Sequence, residues 1–512
     1  MARIGVNNLT FCYEGSFDNV FENVSFAIDT DWKLGLIGRN GKGKTTFLNL
    51  LMGKYEYSGN ISTSTVFGYF PYEISKDDLK RTADELIIEW KPDTESWRVL
   101  CELSLLGVDA EVMYRPLETL SFGERTKVML AVLFSGENEF LLIDEPTNHL
   151  DASTRETVKE YLNSKKGFIL VSHDRDLLDA CVDHVLVINR SCIEVMAGNF
   201  SCWWENKERR DSFAKSENEK HLKEIKKLEI SADRASRWAE KNENTKIGFD
   251  PIKEHDRNIS SRSFIGAKTK KMQSRVKSVE ERIDREIEEK EGLLNDIEEV
   301  VNLKINPLLY HKERLIEARD FSLRYLEAKE SVINNLTFEI MRGERVFFVG
   351  ENGCGKSSMI NAILEKINCE NSVNLKTNFE TSGLLEAPQN LVVSYISQDT
   401  SHLKGSLKNY AKEHSLDYTL MLALLNQLDM NKVQFEKNME DFSEGQKKKV
   451  LIAASLITPA HLYIWDEPLN YIDVFSRMQI EKLINTFKPT MILVEHDVKF
   501  RENIDGKTVS FS

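Results

Sequence analysis

Two short stretches of the chain have glycines and a lysine at the spacing of a phosphate-binding loop. They read "LGLIGRNGKGKTT" (34–46) and "VFFVGENGCGKSS" (346–358), and each has a glycine-rich turn between an apolar run and an amphipathic segment. Backbone N–H groups can surround a phosphate only where no Cβ obstructs them, which explains the glycines. The sequence therefore predicts two strand–loop–helix units, in which a helix N-terminus adds its positive dipole end to the site.

The residue types in the two loops indicate ATP and Mg²⁺ as ligands. Lys44 and Lys356 are expected to contact the β- and γ-phosphates, and the hydroxyls of Thr45 and Ser357 are suited to Mg²⁺. The loop residues predicted to bind the nucleotide are Gly38, Asn40, Gly41, Gly43, Lys44, Thr45, Thr46, Gly350, Asn352, Gly353, Gly355, Lys356, Ser357 and Ser358.

A second pair of motifs places two carboxylates at the end of an apolar strand. These motifs are "LLIDEPTNHLD" (141–151) and "YIWDEPLNYID" (463–473). The first carboxylate of each pair is suited to hold Mg²⁺ through water, the second to polarise an attacking water, and a later histidine to orient the γ-phosphate. Taken alone, such residues could be solvated strand ends and core histidines, but their order along the chain favours catalysis. The residues concerned are Asp144, Asp466, Glu145, Glu467, His173 and His496.

All of these motifs belong to an internal duplication. "LSFGERTKVMLAVLF" (120–134) returns as "FSEGQKKKVLIAASL" (442–456), and "ILVSHDR" (169–175) returns as "ILVEHDV" (492–498). The offset between the copies is nearly constant across four motifs, which indicates a duplicated domain. We therefore expect α/β nucleotide-binding domains over 1–205 and 306–512, separated by a linker over 206–305.

Composition limits the class of protein. The 512 residues are too many for one core, and 41% hydrophobic with 29% charged residues fits a soluble globular chain. No apolar run approaches the ~20 residues that a membrane helix needs. The seven cysteines form no CxxC pair, and the first residues lack the apolar core of a signal peptide, so reduced cysteines and a cytoplasmic location are expected.

The linker differs from both domains in pattern and in charge. Two charge-rich stretches with apolar residues at helical spacing flank a segment broken by glycine and proline, which predicts an antiparallel helical hairpin with a tip near 246–268. Although the whole chain carries a net charge of -14, no acidic residue occurs from Arg257 to Val279. A charged helical linker is most often a solvated coiled coil, but a basic tip is also suited to a phosphate-rich cleft.

The order of the motifs resembles that of ABC-type ATPases. In that family two nucleotide-binding domains close head to tail, so each ATP lies between the phosphate-binding loop of one domain and the signature motif of the other. The resemblance implies two P-loop domains and two sites, which we name by the domain that provides the loop. The first composite site would add Ser443, Gly445 and Gln446 to the first loop, and the second composite site would add Ser121, Gly123 and Glu124 to the second loop, with Gln398 as a further metal ligand.

Two tyrosines match the family pattern, and three other residues depart from it. Tyr13 and Tyr325 stand where the family stacks an aromatic ring on adenine, although both could be core tyrosines. Phe122 and Glu444 replace a signature glycine. In "YFPYE" (69–73), Tyr72 replaces the glutamine that couples metal and water geometry to domain movement. Either another ligand substitutes for that glutamine, or the two sites hydrolyse ATP at unequal rates, the Tyr72 site being slower.

Two such domains with a charged helical linker and no membrane domain resemble ABC-F proteins. Within that family, the stretches "SFIGAKTKK" and "LYIWDEPLNYIDVF" are similar to those of the group that confers resistance to lincosamides, streptogramin A and pleuromutilins. The resemblance implies a monomer with intramolecular domain pairing that binds the E site of the bacterial 70S ribosome. Its linker would approach large-subunit rRNA, P-site tRNA and the drug. The linker residues expected at the tip are Arg262, Ser263, Phe264, Ile265, Lys268, Lys270 and Lys271.

Three other functions fit parts of this pattern. A housekeeping ABC-F translation factor would bind stalled or initiating ribosomes without conferring resistance. The ATPase subunit of a membrane exporter would need a membrane partner, which we do not expect. A non-catalytic scaffold is disfavoured, because the loop lysine and both carboxylates occur in each copy.

Overall fold

The computed structural model describes residues 3–13, 19–92, 94–137, 139–148, 150–189, 192–244, 277, 282, 304–326, 330–367, 379–428, 430 and 432–511. The chain divides into two compact units. The first unit comprises Met1–Trp203 together with Val300–Ser512 and contains both nucleotide-binding domains; the second comprises Trp204–Glu299.

The first domain has a mixed sheet, a smaller antiparallel sheet and helices around them. Its strands are β1 (Arg3–Phe11), β2 (Phe21–Asp29), β3 (Lys33–Ile37), β4 (Ser58–Ser62), β5 (Val66–Phe70), β6 (Glu139–Asp144), β7 (Phe168–Val171), β8 (His184–Asn189) and β9 (Cys192–Ala197). Its helices are α1 (Lys44–Leu51), α2 (Ala83–Trp90), α3 (Ser96–Leu105), α4 (Phe122–Phe134), α5 (Ala152–Ser164) and α6 (Arg175–Cys181).

The strand order brings the chemical residues of this domain to one edge. The main sheet has the order β5-β6-β7-β3-β8-β9, parallel except where β8 pairs with β9, and the smaller sheet has the order β2-β1-β4. Side chains of β1, β2, β3, β6, β7 and α1 meet in one hydrophobic core. Because β3 and β6 run in the same direction, the phosphate-binding loop after β3 and the carboxylates at the end of β6 lie at the same sheet edge.

The second domain repeats this plan. Its strands are β10 (Arg314–Tyr325), β11 (Ile333–Met341), β12 (Arg345–Val349), β13 (Phe379–Glu386), β14 (Val393–Ile396), β15 (Leu462–Asp466), β16 (Met491–Val494) and β17 (Lys507–Ser510). After the linker helix α7 (Phe200–Asn244), the helices of this domain are α8 (Lys356–Ile367), α9 (Leu407–Glu413), α10 (Tyr418–Gln427), α11 (Lys432–Phe435), α12 (Glu444–Ile457), α13 (Val474–Phe487) and α14 (Val498–Asn503). The parallel sheet has the order β14-β15-β16-β12-β17, beside an antiparallel β11-β10-β13 sheet.

Two glycines illustrate why the phosphate-binding loops tolerate little substitution. Gly43 and Gly355 both have φ of 94°, the left-handed region that favours glycine. A Cβ at Gly43 would lie 2.7 Å from the Val20 side chain, and one at Gly355 would lie 2.8 Å from Ile333. Both loops therefore require glycine for backbone conformation and for space.

An arginine on α13 fixes the loop that follows the β15 carboxylates. Arg477 is 6% exposed and donates to the carbonyls of Leu469 and Ile472 at 3.0 and 2.9 Å, and to Asp497 Oδ2 at 2.9 Å. Glu495 accepts the Leu469 N–H at 2.8 Å. Because buried charges need partners, this cluster holds the 469–473 loop in one conformation. In the first domain, Arg155 bonds the Leu150 carbonyl at 2.9 Å and lies 3.6 Å from Asp174.

Most of the described residues of the second unit belong to one long helix. Helix α7 begins at Phe200 in the first unit and ends at Asn244, and its 45 residues correspond to roughly 65 Å at 1.5 Å per residue. Ion pairs four residues apart join Arg209 to Glu205 and Arg237 to Asp233 along its exposed surface. The predicted tip near 246–268 and most of the predicted return helix lie outside the described residues.

The buried Glu495 should make the stability of the chain depend on pH. Burial, only partly offset by Arg477, raises the pKa of Glu495 to about 7. Its contribution to the free energy of unfolding is therefore complete below the ordinary carboxyl pKa, and is lost as the pH rises through 7. We expect Glu495→Gln to be near neutral at pH 5 and stabilising by about 1–3 kcal/mol at pH 8.

The measurement is the thermal unfolding midpoint of variant and parent at both pH values. Glu313→Gln, at an exposed position, is the control and should show no pH-dependent difference. A Glu495→Gln effect of the same size at pH 5 and pH 8 would contradict the assignment.

Candidate nucleotide-binding and catalytic sites

The second composite site is a cavity formed by both domains. Its volume is about 650 Å³. One side is the second phosphate-binding loop, including Gly353, Gly355 and Lys356, and the opposite side is the signature region of the first domain. The other lining residues are Ser121, Phe122, Gly123, Leu150, Asp151, Thr154, Arg155, Asn352, Ser357, Ser358, Gln398, Glu467, Asn470 and His496. The structure thus brings together residues of both domains that head-to-tail pairing requires.

At the first composite site, loops from the two domains lie in direct contact. Asn40 Nδ2 of the first phosphate-binding loop donates to the Tyr471 carbonyl oxygen of the second domain at 2.9 Å. The Arg39 guanidinium lies 6.0 Å from the centre of the Phe475 ring, within reach of a cation–π interaction. The signature helix α12 begins at Ser443, and Gly445 lies close enough to Tyr471 that an added Cβ would be 2.9 Å from its carbonyl oxygen.

Both loop lysines are buried and bonded to their own loops. Lys44 Nζ donates to the Gly38 carbonyl at 2.7 Å and to Asn40 Oδ1 at 3.2 Å. Lys356 Nζ donates to the carbonyls of Gly350 and Glu351 at 2.8 and 2.7 Å. These bonds curl each loop around its ammonium group, which leaves a positive charge at the centre of the loop. Burial lowers the pKa of Lys44, although Asp473, Glu145 and Asp144 raise it in part.

The hydroxyl that follows each lysine bonds the first carboxylate of the acidic motif. Thr45 Oγ1 donates to Asp144 Oδ2 at 3.0 Å, and Ser357 Oγ donates to Asp466 Oδ2 at 2.8 Å. Asp466 Oδ1 is buried without a hydrogen-bond partner. Burial raises the pKa of Asp144, and raises that of Asp466 to about 6. Each pair is a hydroxyl and a carboxylate facing the phosphate-binding loop, and these oxygens are donors that Mg²⁺ accepts.

The catalytic candidate of the second composite site is held by amide donors. Gln398 Nε2 and Asn470 Nδ2 both donate to Glu467 Oε2, at 3.0 and 2.8 Å. His496 Nε2 lies 3.6 Å from Glu467 Oε1. Burial favours a higher pKa for Glu467, but the His496 imidazole and the charge of Lys448 outweigh it and lower this pKa below its ordinary value. The carboxylate is therefore ionised and oriented at neutral pH.

The equivalent glutamate of the first composite site has different surroundings. Glu145 Oε2 accepts the His173 backbone N–H at 3.4 Å, His173 Nε2 lies 3.3 Å from Glu145 Oε1, and Oε1 has no hydrogen-bond partner. Burial, reinforced by the charge of Asp144, raises the pKa of Glu145 to about 8. Burial also lowers the pKa of His173 well below its ordinary range, so this histidine is neutral. Both glutamates have positive φ, 52° for Glu145 and 48° for Glu467, a strained conformation that recurs at functional sites.

Tyr72 is turned toward an aromatic neighbour. Its ring stacks on Trp90 at the end of α2, with 4.8 Å between ring centres and 9° between planes, and burial raises the pKa of its hydroxyl. The adjacent Tyr69 points its hydroxyl to Asp144 Oδ2 at 3.4 Å. Tyr395 occupies the position equivalent to Tyr69 in the second domain, where burial and the charge of Asp466 raise its pKa. The two sites therefore differ at Tyr72, because its counterpart Gln398 contacts Glu467 directly.

The signature residues begin their helices with reciprocal capping bonds. Ser121 caps α4 with Glu124, and Ser443 caps α12 with Gln446, so each serine hydroxyl accepts the N–H three residues later and each long side chain returns to the serine N–H. Glu124 and Gln446 thus orient the helix start, while Ser121 and Gly123 line the cavity. Phe122 is 59% exposed and also lines it.

The two tyrosines expected near adenine occupy matching positions. Tyr13 bonds the Thr46 hydroxyl at 2.6 Å and Tyr325 bonds the Ser358 hydroxyl at 2.7 Å. They are 43% and 37% exposed, too open for ordinary core tyrosines. Each ring therefore stands beside its phosphate-binding loop.

Sequence reasoning missed one contact at each composite site. Asn470 donates to Glu467, and the Tyr471 carbonyl accepts from Asn40. The role of the asparagine could have been predicted from the sequence, because the duplicated acidic motifs contain Asn148 and Asn470 at the same position. A backbone carbonyl leaves no such signal. The predicted tip residues Arg262, Ser263, Phe264, Ile265, Lys268, Lys270 and Lys271 lie outside the described residues.

Comparison with known proteins agrees with this geometry. The sequence model of the family described as "ABC transporter" matches residues 21–148 and 333–470, one match in each domain. The chain belongs to this ABC family. It is accordingly an ATPase with two tandem α/β nucleotide-binding domains, and these predictions are confirmed. Within the described residues of this ABC protein, no helix is long and apolar enough to span a membrane.

Two relatives and one solved structure are similar to the ABC protein over most of its length. It is 26% identical to "Ribosome protection protein VmlR" of Bacillus subtilis (strain 168), over 98% of this chain and 85% of that protein. It is also 26% identical to "Erythromycin resistance ATP-binding protein MsrA" of Staphylococcus epidermidis, over 93% and 91%. The structure "Model of ribosome-bound archaeal Pelota and ABCE1" matches with a TM-score of 0.59 and 19% identity, over 99% of this chain and 76% of that chain. The resemblance to ABC-F proteins of the ribosome-protection group is confirmed.

The unequal glutamates predict unequal ATP turnover. The Glu145→Gln variant keeps the glutamate of the second composite site, and the Glu467→Gln variant keeps the glutamate of the first composite site. Because Glu467 is oriented by two amides and ionised, we expect Glu145→Gln to retain at least about fivefold more ATPase activity than Glu467→Gln, a fraction of the 10²–10⁴ that a positioned base contributes. Steady-state phosphate release measures both rates.

The double variant Glu145→Gln with Glu467→Gln sets the background and should be nearly inactive. Equal residual rates in the two single variants would show that the different surroundings of the glutamates do not matter.

Proposed function

We propose that this chain is an ATP-dependent ribosomal protection protein that confers resistance to antibiotics acting at the peptidyl-transferase centre. The observation that carries the proposal is the full-length similarity to a protein named for ribosome protection, at 26% identity over 98% of this chain. Similarity to an erythromycin resistance protein supports it. The partners are the large-subunit rRNA at the E site of the bacterial 70S ribosome and the P-site tRNA, which places the chain in the cytoplasm. It acts as a monomer, because its two nucleotide-binding domains pair within one chain.

ATP would close the two composite sites, and hydrolysis would open them. The ammonium groups of Lys44 and Lys356 attract the β- and γ-phosphates, and the N-termini of α1 and α8 add backbone N–H donors. The N-termini of α4 and α12, which begin at the signature serines, approach the γ-phosphate from the opposite domain. Nucleotide at the interface would stabilise closure, because the phosphates neutralise the positive charge that each loop presents.

The hydrolytic step at the second composite site can be described from its own side chains. Glu467 is ionised and oriented, so it can accept a proton from a water aligned with the γ-phosphate. His496 lies beside that carboxylate and is placed to contact the γ-phosphate. Glu145 and His173 would have these roles at the first composite site, where the neutral imidazole can donate or accept a single hydrogen bond.

The same sites fit Mg²⁺. The buried, unpartnered Asp466 Oδ1 and the Ser357 hydroxyl would hold the ion at the second composite site, with Gln398 nearby, and Asp144 with Thr45 would hold it at the first. When bound, Mg²⁺ would supply positive charge that offsets the negative charge of the phosphates. The hydroxyl–carboxylate bonds keep these oxygens facing the loop.

The linker would reach the drug site on the ribosome and displace the drug there. The acid-free segment from Arg257 to Val279 belongs to a chain with net charge -14, so its basic residues concentrate affinity for phosphate in one place. Helix α7 gives the linker a reach of roughly 65 Å. The tip then displaces the drug, either by direct clash or by shifting rRNA around the drug.

Expression in a drug-sensitive bacterium tests the proposed function. We expect the minimum inhibitory concentration of a lincosamide, a streptogramin A or a pleuromutilin to rise at least about fourfold, and the double Glu145→Gln, Glu467→Gln variant to give no protection because it cannot complete the cycle. Co-sedimentation with 70S ribosomes in ATP should detect the trapped variant.

The outcomes separate the alternatives. Ribosome binding with unchanged resistance to all three classes would contradict the resistance claim and favour a housekeeping translation factor. Co-purification with a membrane protein and no ribosome binding would favour an exporter subunit.

The tip is tested by two groups of alanine variants. Alanine at Lys268, Lys270 and Lys271 should weaken ribosome binding at least about tenfold, because each lysine contributes phosphate contacts. Phe264→Ala should abolish resistance while ribosome binding is retained. Unchanged resistance in Phe264→Ala would move the active tip toward residues 246–258.

A further inference from the structure

A buried ion pair joins the two nucleotide-binding domains. The guanidinium of Arg175 donates to both carboxylate oxygens of Glu481, with 3.2 Å between Nη1 and Oε2. Both residues are 6% exposed, and Glu481 also accepts from Asn503 Nδ2 at 3.0 Å. A bidentate arginine–carboxylate pair removed from water fixes both distance and orientation. The pair therefore sets how α6 of the first domain lies against α13 of the second.

Each partner is attached to a loop of the first composite site. Arg175 is the first residue of α6 and follows His173 by two positions, and the Asp174 side chain between them caps this helix. Glu481 lies on α13, and the loop before that helix contains Tyr471, whose carbonyl accepts the Asn40 hydrogen bond. The ion pair thus connects the loop that bears the histidine with the loop that contacts the phosphate-binding loop.

The second composite site is built differently at the duplicated positions. Alignment of the two copies makes Val498 the counterpart of Arg175 and Lys159 the counterpart of Glu481. A valine has no charge, so this combination of residue types cannot form the pair. Lys159 instead bonds Asp176 of its own domain at 2.7 Å. An ion pair that connects the histidine loop of one domain with the loop before α13 of the other therefore occurs at the first composite site and not at the second.

Stability alone does not account for such a pair. Removing two charges from water costs about as much as their attraction returns, and a well-packed apolar pair often replaces a buried ion pair without loss of stability. What an ion pair provides in addition is a single geometry, because each buried charge loses its opposite charge when the domains rotate away from that arrangement. The Arg175–Glu481 pair has this property at the interface that must close around ATP.

We propose that Arg175 and Glu481 are positioning residues that couple domain closure to ATP turnover at the first composite site and not at the second. When the domains close, the pair forms and holds the His173 loop in register with the 470–473 loop. This inference concerns the ATPase activity of the isolated chain, so it does not depend on the proposed action on ribosomes.

The experiment measures ATPase activity of the full chain in two backgrounds. In Glu467→Gln, which leaves the first composite site active, Arg175→Met and Glu481→Met should each lower kcat at least about tenfold, as expected for a displaced catalytic group. The double methionine variant should lose no more than either single variant, because one interaction is removed in all three. The charge-exchanged variant Arg175→Glu with Glu481→Arg should recover most of the activity.

The Glu145→Gln background provides the contrast. There the same substitutions should change kcat less than about twofold, and Lys159→Met, the matched control, should be silent in both backgrounds. Equal losses in the two backgrounds, additive losses in the double methionine variant, or failure of the charge exchange in a folded protein would each overturn the proposal. Thermal unfolding identifies any variant that is not folded, and the remaining variants then decide.

Discussion

The arrangement of both ATP sites depends on an arginine that neutralises buried carboxylates while it bonds backbone carbonyls. Arg477 does this in the second domain, where it contacts Asp497 and the carbonyls of Leu469 and Ile472. Arg155 bonds the Leu150 carbonyl and lies near Asp174 in the first domain. A loop without secondary structure needs such bonds to keep one conformation next to a water-excluding site. Through them, the loop of one domain is held in place to meet the other domain's phosphate-binding loop.

Around this shared framework the two copies have diverged in the residues that control charge. Glu467 accepts hydrogen bonds from the amides of Gln398 and Asn470, whereas Glu145 has a carboxylate oxygen without a hydrogen-bond partner and a raised pKa. The same fold therefore keeps one carboxylate ionised and favours the protonated form of the other. The environment of a carboxylate, more than its identity, decides the chemistry available to it.

The sequence was sufficient to predict two tandem α/β domains and to place their phosphate-binding loops and acidic motifs at strand ends, because these are local patterns that occur twice. Lys44, Asp144 and their counterparts could be placed from strand ends and glycine spacing alone. The contacts that distinguish the sites could not be predicted in this way. Tyr72 was recognisable as a departure from the family pattern, but its stacking on Trp90 depends on packing, and the Arg175–Glu481 pair joins residues 306 positions apart. Such contacts depend on how two complete domains dock.

Because both domains are parts of one chain, the symmetry of their pairing is not enforced. In a homodimer of a single such domain, every substitution would appear at both sites at once, and replacing the Gln398 amide by a ring stacked like Tyr72 on Trp90 would remove the amide everywhere. The duplicated chain can lose it on one side and keep it on the other. Each composite site is therefore a separate target for mutation, and natural selection can adjust the rate of one without altering the chemistry of its neighbour.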